Sequence, residues 1–159
     1  MNKEKEFIDL INAHRKMIYK VCLLYANDKE DLTDFYQETI LNLWKSFTLF
    51  EKKCSFSTWA YRIALNTCIT YLRKNKRKSD SLPITEVIDE LVDDDLRSEQ
   101  IKELYNLIKR LNKLERMYIM LWLDEKSYDE IAEIVGTNRS QVATRIHRIK
   151  IKLKDMSNF

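Results

Sequence analysis

Two runs of cations dominate the chemistry open to this sequence. Arg139 to Lys154 holds six Lys or Arg and no acid, and five of the six residues from Arg73 to Lys78 are basic. Guanidinium and ammonium groups at this density suit phosphates, and Arg can also read guanine through a bidentate pair. Between the runs, Asp80 to Glu99 carries eight acids against Arg97 alone, so the net charge of +3 hides a strong internal asymmetry. Catalytic chemistry finds no support. There is no nucleophile–base pair, no glycine-rich phosphate loop and no metal-ligand spacing. Cys22, Cys54 and Cys68 are widely spaced, form no CxxC pair and lie far from His14 and His147. They read as free thiols in a reducing cytosol rather than as a zinc site or a disulfide framework. No enzyme activity, cofactor, metal or small-molecule substrate is expected.

The elements that must position these cations are helices. The chain has one Gly and one Pro, too few for the turns of a sheet, so the expected fold class is all-α. Residues 1–77 read as one small helical domain, 78–96 as an acidic flexible linker and 97–159 as a second helical domain. In the first, Phe7, Leu10, Ile11, His14, Ile18, Val21, Cys22 and Tyr25 recur at helical spacing. A second helix starts near Asp28 to Asp31 and runs through Trp44. Thr48 to Ser55 reads as a loop, after which Ser57 or Thr58 caps a helix that ends in the basic block. In the last domain three capping boxes can be read, pairing Asn112 with Glu115, Ser127 with Glu130 and Asn138 with Gln141.

The last two boxes frame a helix-turn-helix from Ser127 to Lys154. Gly136, the sole glycine, falls where the first helix must end in a left-handed conformation. Val142, Ile146, Ile149 and Leu153 form a buried stripe on the second helix, leaving Arg139, Ser140, Thr144, His147 and Arg148 outward. A basic helix in this setting fits the DNA major groove, with Lys150, Lys152 and Lys154 on phosphates.

The first domain makes the reading specific. Asp34-Phe-Tyr-Gln-Glu-Thr-Ile-Leu-Asn-Leu-Trp, then Phe56-Ser-Thr-Trp-Ala-Tyr-Arg-Ile-Ala-Leu-Asn-Thr and a basic block, resembles region two of bacterial sigma factors. Ser127 to Leu153 resembles their region four. Two regions joined by an acidic linker resemble the extracytoplasmic function (ECF) group. The resemblance implies a protein that binds core RNA polymerase, directs it to promoters and starts transcription in the cytoplasm. It implies that the helix bearing Asp34, Gln37, Glu38, Leu41 and Trp44 docks on the clamp coiled coil of the largest subunit. It implies that the loop with Phe50, Lys52 and Lys53 captures a flipped base of the minus-ten element. Ser57, Thr58, Tyr61, Arg62 and Asn66 would then face the same strand, while Arg73, Lys74 and Arg77 hold its backbone. Trp59 reads as core.

For the upstream half, the resemblance implies minus-thirty-five contacts from Arg139, Ser140, Thr144, Arg145, His147, Arg148 and Lys150. Asn112 to Trp122 with the C-terminal helix would meet the flap of the second-largest subunit. Relatives often carry a basic residue at the position of Ala143, so this departure leaves the recognised sequence open. An anti-sigma protein is the further expected partner. The competing reading is a helix-turn-helix regulator that binds an operator without any role as a polymerase subunit. It would need a sensor pocket or phosphoacceptor in the first domain, which shows none.

Overall fold

The computed structural model describes residues 2–50, 53–74 and 99–157, except for the side chains at 73 and 74. Expectations placed on Lys52, on the side chains of Arg73 and Lys74, on Arg77 and on the 78–96 linker therefore lie outside the described residues. The chain divides into two compact units, Met1–Ser81 and Leu82–Phe159, and every regular element among the described residues is helical.

The first unit packs α1 (Lys3–Tyr25), α2 (Lys29–Ser46) and α3 (Phe56–Lys74) pairwise against one another. Asn2 starts α1 by accepting a 3.0 Å hydrogen bond from the Glu4 amide, and Glu4 and Glu6 complement the dipole of the first turn. Asp28 does the same for α2, accepting from the Asp31 amide at 2.7 Å. The start of α3 differs from expectation. Its cap is Ser55, whose Oγ accepts from the Thr58 amide at 3.1 Å, not Ser57 or Thr58.

The core joins Phe7, Ile18, Val21, Cys22 and Tyr25 of α1 to Phe35 and Leu43 of α2 and to Ala60, Ala64 and Cys68 of α3. Two alanines on α3 let it approach both neighbours closely. Each fully buried large side chain contributes about 1.5–3 kcal/mol. Asn42 Nδ2 donates to Thr67 Oγ1 at 2.9 Å, tying α2 to α3. The Cys68 thiol is held well above its ordinary pKa, first by its hydrogen bond with Cys22 and then by burial.

In the second unit, α4 (Glu99–Lys109), α5 (Lys113–Leu123), α6 (Tyr128–Val135) and α7 (Arg139–Ser157) enclose Ile108, Leu111, Ile119, Leu121, Ile131, Val142 and Ile146. The boxes Asn112–Glu115 and Ser127–Glu130 form reciprocally, as the sequence predicts. Arg116 donates to the Lys109 and Leu111 carbonyls at 2.8 and 2.9 Å and so closes the end of α4. Gly136 ends α6 at φ 84, with its amide on the Ala132 carbonyl at 2.8 Å. Glu125 also adopts a left-handed φ, of 61, after α5. There a charged residue stands where glycine is usual.

Candidate nucleic-acid and protein interfaces

Helix α2 buries Leu32, Phe35, Thr39 and Leu43 at intervals of four or so residues, which turns Gln37 and Leu41 directly outward. Gln37 and Glu38 are exposed, and Leu41 and Trp44 stay 44% and 43% exposed despite their size. Trp44 braces its ring against Phe7, 5.0 Å between centroids, so the exposed indole is held in one position. Asp34 is half-buried and accepts a 3.2 Å hydrogen bond from the Tyr71 hydroxyl, which fixes its carboxylate from α3. On the α1 side, Tyr36 stacks on Tyr19 at 4.2 Å, and burial, then Tyr19, raises its hydroxyl pKa. The result is an apolar pair, Leu41 and the braced Trp44, beside an acid–amide–acid stripe, a surface that suits a basic partner helix.

A 3₁₀ turn, Phe47–Leu49, follows α2 and leads to Phe50. Phe50 stacks on Trp59 at 4.8 Å and 23° and lies near Phe47 and Phe56. One face of its ring is thus committed to the protein. Trp59 is half-buried, a platform under Phe50 rather than the core residue expected. Lys53 is exposed.

Two expectations on α3 need correction. Tyr61 and Thr58 are only 2% and 3% exposed, so neither presents to a strand. Because α3 packs on both α1 and α2, more than half of its circumference is buried, and these two residues fall inside that arc. Ser57 is half-buried, and Arg62 and Asn66 are exposed one turn apart. With Trp59 and Thr70 they recur at i, i+3, i+7 and i+11 along the exposed arc. Asn66 and Thr70 also border an open groove of about 590 Å³ with Glu38, Asn42 and Ile63. The sequence reading missed Asn42 and Thr70. Their signal was present as short polar side chains in register with Asn66 and Glu38.

On α7 the apolar stripe is placed as expected: Val142, Ile146 and Ile149 are buried and Leu153 is half-buried. Ser140, Thr144, Arg145, His147, Arg148 and Lys150 are exposed. Their charges are not equally free. Arg139 reaches Asp129 at 3.2 Å and lies 5.8 Å from the Tyr128 ring. Arg145 lies 5.9 Å above Tyr118, and the Lys150 ammonium sits 4.0 Å over Trp122. Lys152 pairs with Glu115 at 3.0 Å. Arg148 extends with no such partner among the described residues. Ala143 is half-buried, on the flank of the helix rather than on its outward arc.

Among the described residues no cluster of His, Cys, Asp or Glu could hold a metal ion, and no helix is long and apolar enough to cross a membrane.

Comparison with known proteins finds two family regions along the chain. Residues 10–78 match the family described as sigma-70 region 2, and residues 101–153 match sigma-70 region 4. The ECF RNA polymerase sigma factor SigW of Bacillus subtilis is 28% identical over 94% of this chain and 90% of its own length. CnrH, solved in complex with the cytosolic domain of CnrY, superposes with a TM-score of 0.74 at 19% identity, covering 98% of this chain and 89% of that one. RpoE of Bartonella quintana, solved with the anti-sigma factor NepR, gives 0.75 at 17% identity over 95% and 96% of the two chains. At those identities the structural likeness is one of fold.

Proposed function

The chain belongs to the sigma-70 family, in its extracytoplasmic function group, and on that premise we propose how its surfaces divide the work of a sigma factor. It binds core RNA polymerase and directs promoter recognition and initiation. Residues 1–77 engage polymerase and the minus-ten element, and 97–159 engage the minus-thirty-five element. Asp34, Gln37, Glu38, Leu41 and Trp44 form the face that docks on the clamp coiled coil of the largest subunit. Trp44 carries most of that affinity, because buried aromatic anchors dominate interfaces, and Leu41 adds apolar contact beside it. Phe50 with Lys53, Ser57, Arg62 and Asn66 holds the unpaired minus-ten strand. A captured base stacks on the free face of Phe50, worth about 1–3 kcal/mol, while Asn66 meets a base edge from the groove.

Helix α7 lies in the major groove of the upstream element. Arg148, Thr144, Ser140 and His147 face the bases, and Arg139, Arg145 and Lys150 hold the backbone. Asn112 to Trp122 meets the flap of the second-largest subunit. An anti-sigma protein is the partner that keeps the chain inactive; the similar RpoE is solved in complex with an anti-sigma factor, NepR. The protein works in the cytoplasm and has no active site of its own.

The observation that carries this reading is the exposure of Leu41 and Trp44 on α2, with Trp44 braced on Phe7, in the same chain as a basic helix-turn-helix. A DNA-binding regulator needs only the helix. The test is runoff transcription with purified chain and core polymerase on mapped candidate promoters. Promoter-specific transcripts are expected. Tight binding to duplex operator DNA with no transcript from any template would favour the regulator.

A further inference from the structure

The third capping box forms only by half, and the failure frees a side chain. In α5 and α6 the third helical residue is Glu115 or Glu130, and its carboxylate accepts from the cap residue's own amide at 3.1 and 2.9 Å. In α7 the Asn138 carbonyl oxygen accepts from the Gln141 amide at 2.9 Å, but the Gln141 side chain makes no return bond. A neutral amide is a weaker acceptor than a carboxylate, whose charge-assisted bonds are roughly twice as strong. The Gln141 carboxamide is exposed and makes no hydrogen bond among the described residues.

Its position matters because most cations around it are engaged. Arg139 is turned to Asp129, Arg145 to Tyr118 and Lys150 to Trp122. At about 100° per residue, Gln141, Thr144 and Arg148 lie within about 60° of one another on the exposed side of α7. Gln141 is the side chain of this strip nearest the helix N-terminus, the end that enters a major groove first. A carboxamide both donates and accepts, which matches the N6 amino group and N7 of adenine and no other base edge as well.

We infer that Gln141 is a specificity-determining residue of this protein, reading an adenine in the upstream promoter element. The inference rests on the reading of α7 as the major-groove helix. It also gives the base contact that the position of Ala143 cannot supply.

Holoenzyme assembled from core polymerase and the full chain is run on a promoter library randomised across the upstream element, with transcripts counted per template. The unaltered chain should favour adenine at one position by about fivefold or more. Gln141→Ala should abolish that preference, and Gln141→Glu should move it to cytosine, whose amino group a carboxylate accepts. Retention of every preference by both variants overturns the inference. Arg148→Ala separates the two levels of the argument. If it shifts another position while the Gln141 variants shift none, only the assignment of Gln141 falls. If no variant shifts any upstream position, the reading of α7 falls and Gln141 with it.

Discussion

Helices of 23, 18 and 19 residues build the first unit, whereas helices of 11, 11, 8 and 19 residues build the second. Long helices gain stability from extended packing, and the first unit adds a continuous aromatic cluster through Trp44, Phe7, Phe47, Phe50 and Trp59. Short helices cannot rely on length, because nucleation is costly. The second unit therefore closes its helix ends with two full capping boxes, the Arg116 clasp and Gly136. Outward surfaces differ in the same way. Both units leave aliphatic side chains exposed, but the first also exposes the Trp44 indole, while the second braces its cations on aromatic rings and carboxylates. Under the proposed function, protein docking and phosphate contact ask for these two different surfaces.

The comparison can be broken most forcefully in the first core. Phe35→Ala should cost about 3–5 kcal/mol, because a fully buried ring leaves a cavity among long helices. Thermal unfolding followed by tryptophan emission should show early loss of the first unit with the Trp122 signal unchanged. Simultaneous loss at Trp122 would show that the units do not stand apart energetically. Trp44→Ala should weaken binding to core polymerase by about 2 kcal/mol or more, roughly thirtyfold, with helicity retained. Unchanged affinity in fluorescence anisotropy would remove α2 from the docking surface.

Smaller effects test the turns of the second unit. A Cβ at Gly136 would meet nothing within 4 Å, so Gly136→Ala should cost only the left-handed backbone term of about 1–2 kcal/mol. Glu125→Gly should act in the opposite direction by up to about 1 kcal/mol, since it relieves the same term at φ 61. Urea midpoints of both variants measure this pair of opposite signs.

The smallest effect lies at the caps. Ser127→Ala should cost about 1 kcal/mol in an 8-residue helix, and Asn2→Ala should cost less at the end of a 23-residue one. The hydrogen bond from the Ser127 backbone amide holds the Glu130 carboxyl below its ordinary value of 4.5, with smaller help from the Ser127 hydroxyl and Lys126. A carboxyl depressed in the folded unit stabilises fully above its unfolded value. That contribution fades as pH falls through the folded one. Acid titration of helicity should therefore show a small loss below about pH 4.5 that Glu130→Gln lacks.

The helix-turn-helix was legible because its punctuation is local: one formed box at Ser127, a half-formed one at Asn138, one glycine, and a stripe at Val142, Ile146 and Ile149. The burial of α3 was not. Tyr61 and Thr58 look outward when one face of a helix is taken as buried, but α3 is covered by two helices at once. Their positions follow from tertiary packing, which no window of sequence reports. Ser55 overtook Ser57 and Thr58 as the cap for a related reason: all three are good cap residues, and packing of Phe56 chose among them. The side chain of Gln141 escaped because its residue type fits a capping box, while the competition between a neutral amide and a carboxylate is settled by energy rather than pattern.

The chain's three tryptophans each mark a different working surface. Trp44 stands on the proposed docking face, Trp59 lies under Phe50 and Trp122 lies under the Lys150 ammonium. The protein therefore carries its own optical labels. On the proposed function, emission from Trp44 would report burial by a partner subunit, Trp59 the arrival of a base on Phe50 and Trp122 the departure of Lys150 towards a phosphate. Three single-tryptophan chains would time polymerase docking, strand capture and upstream binding as separate events without any added dye.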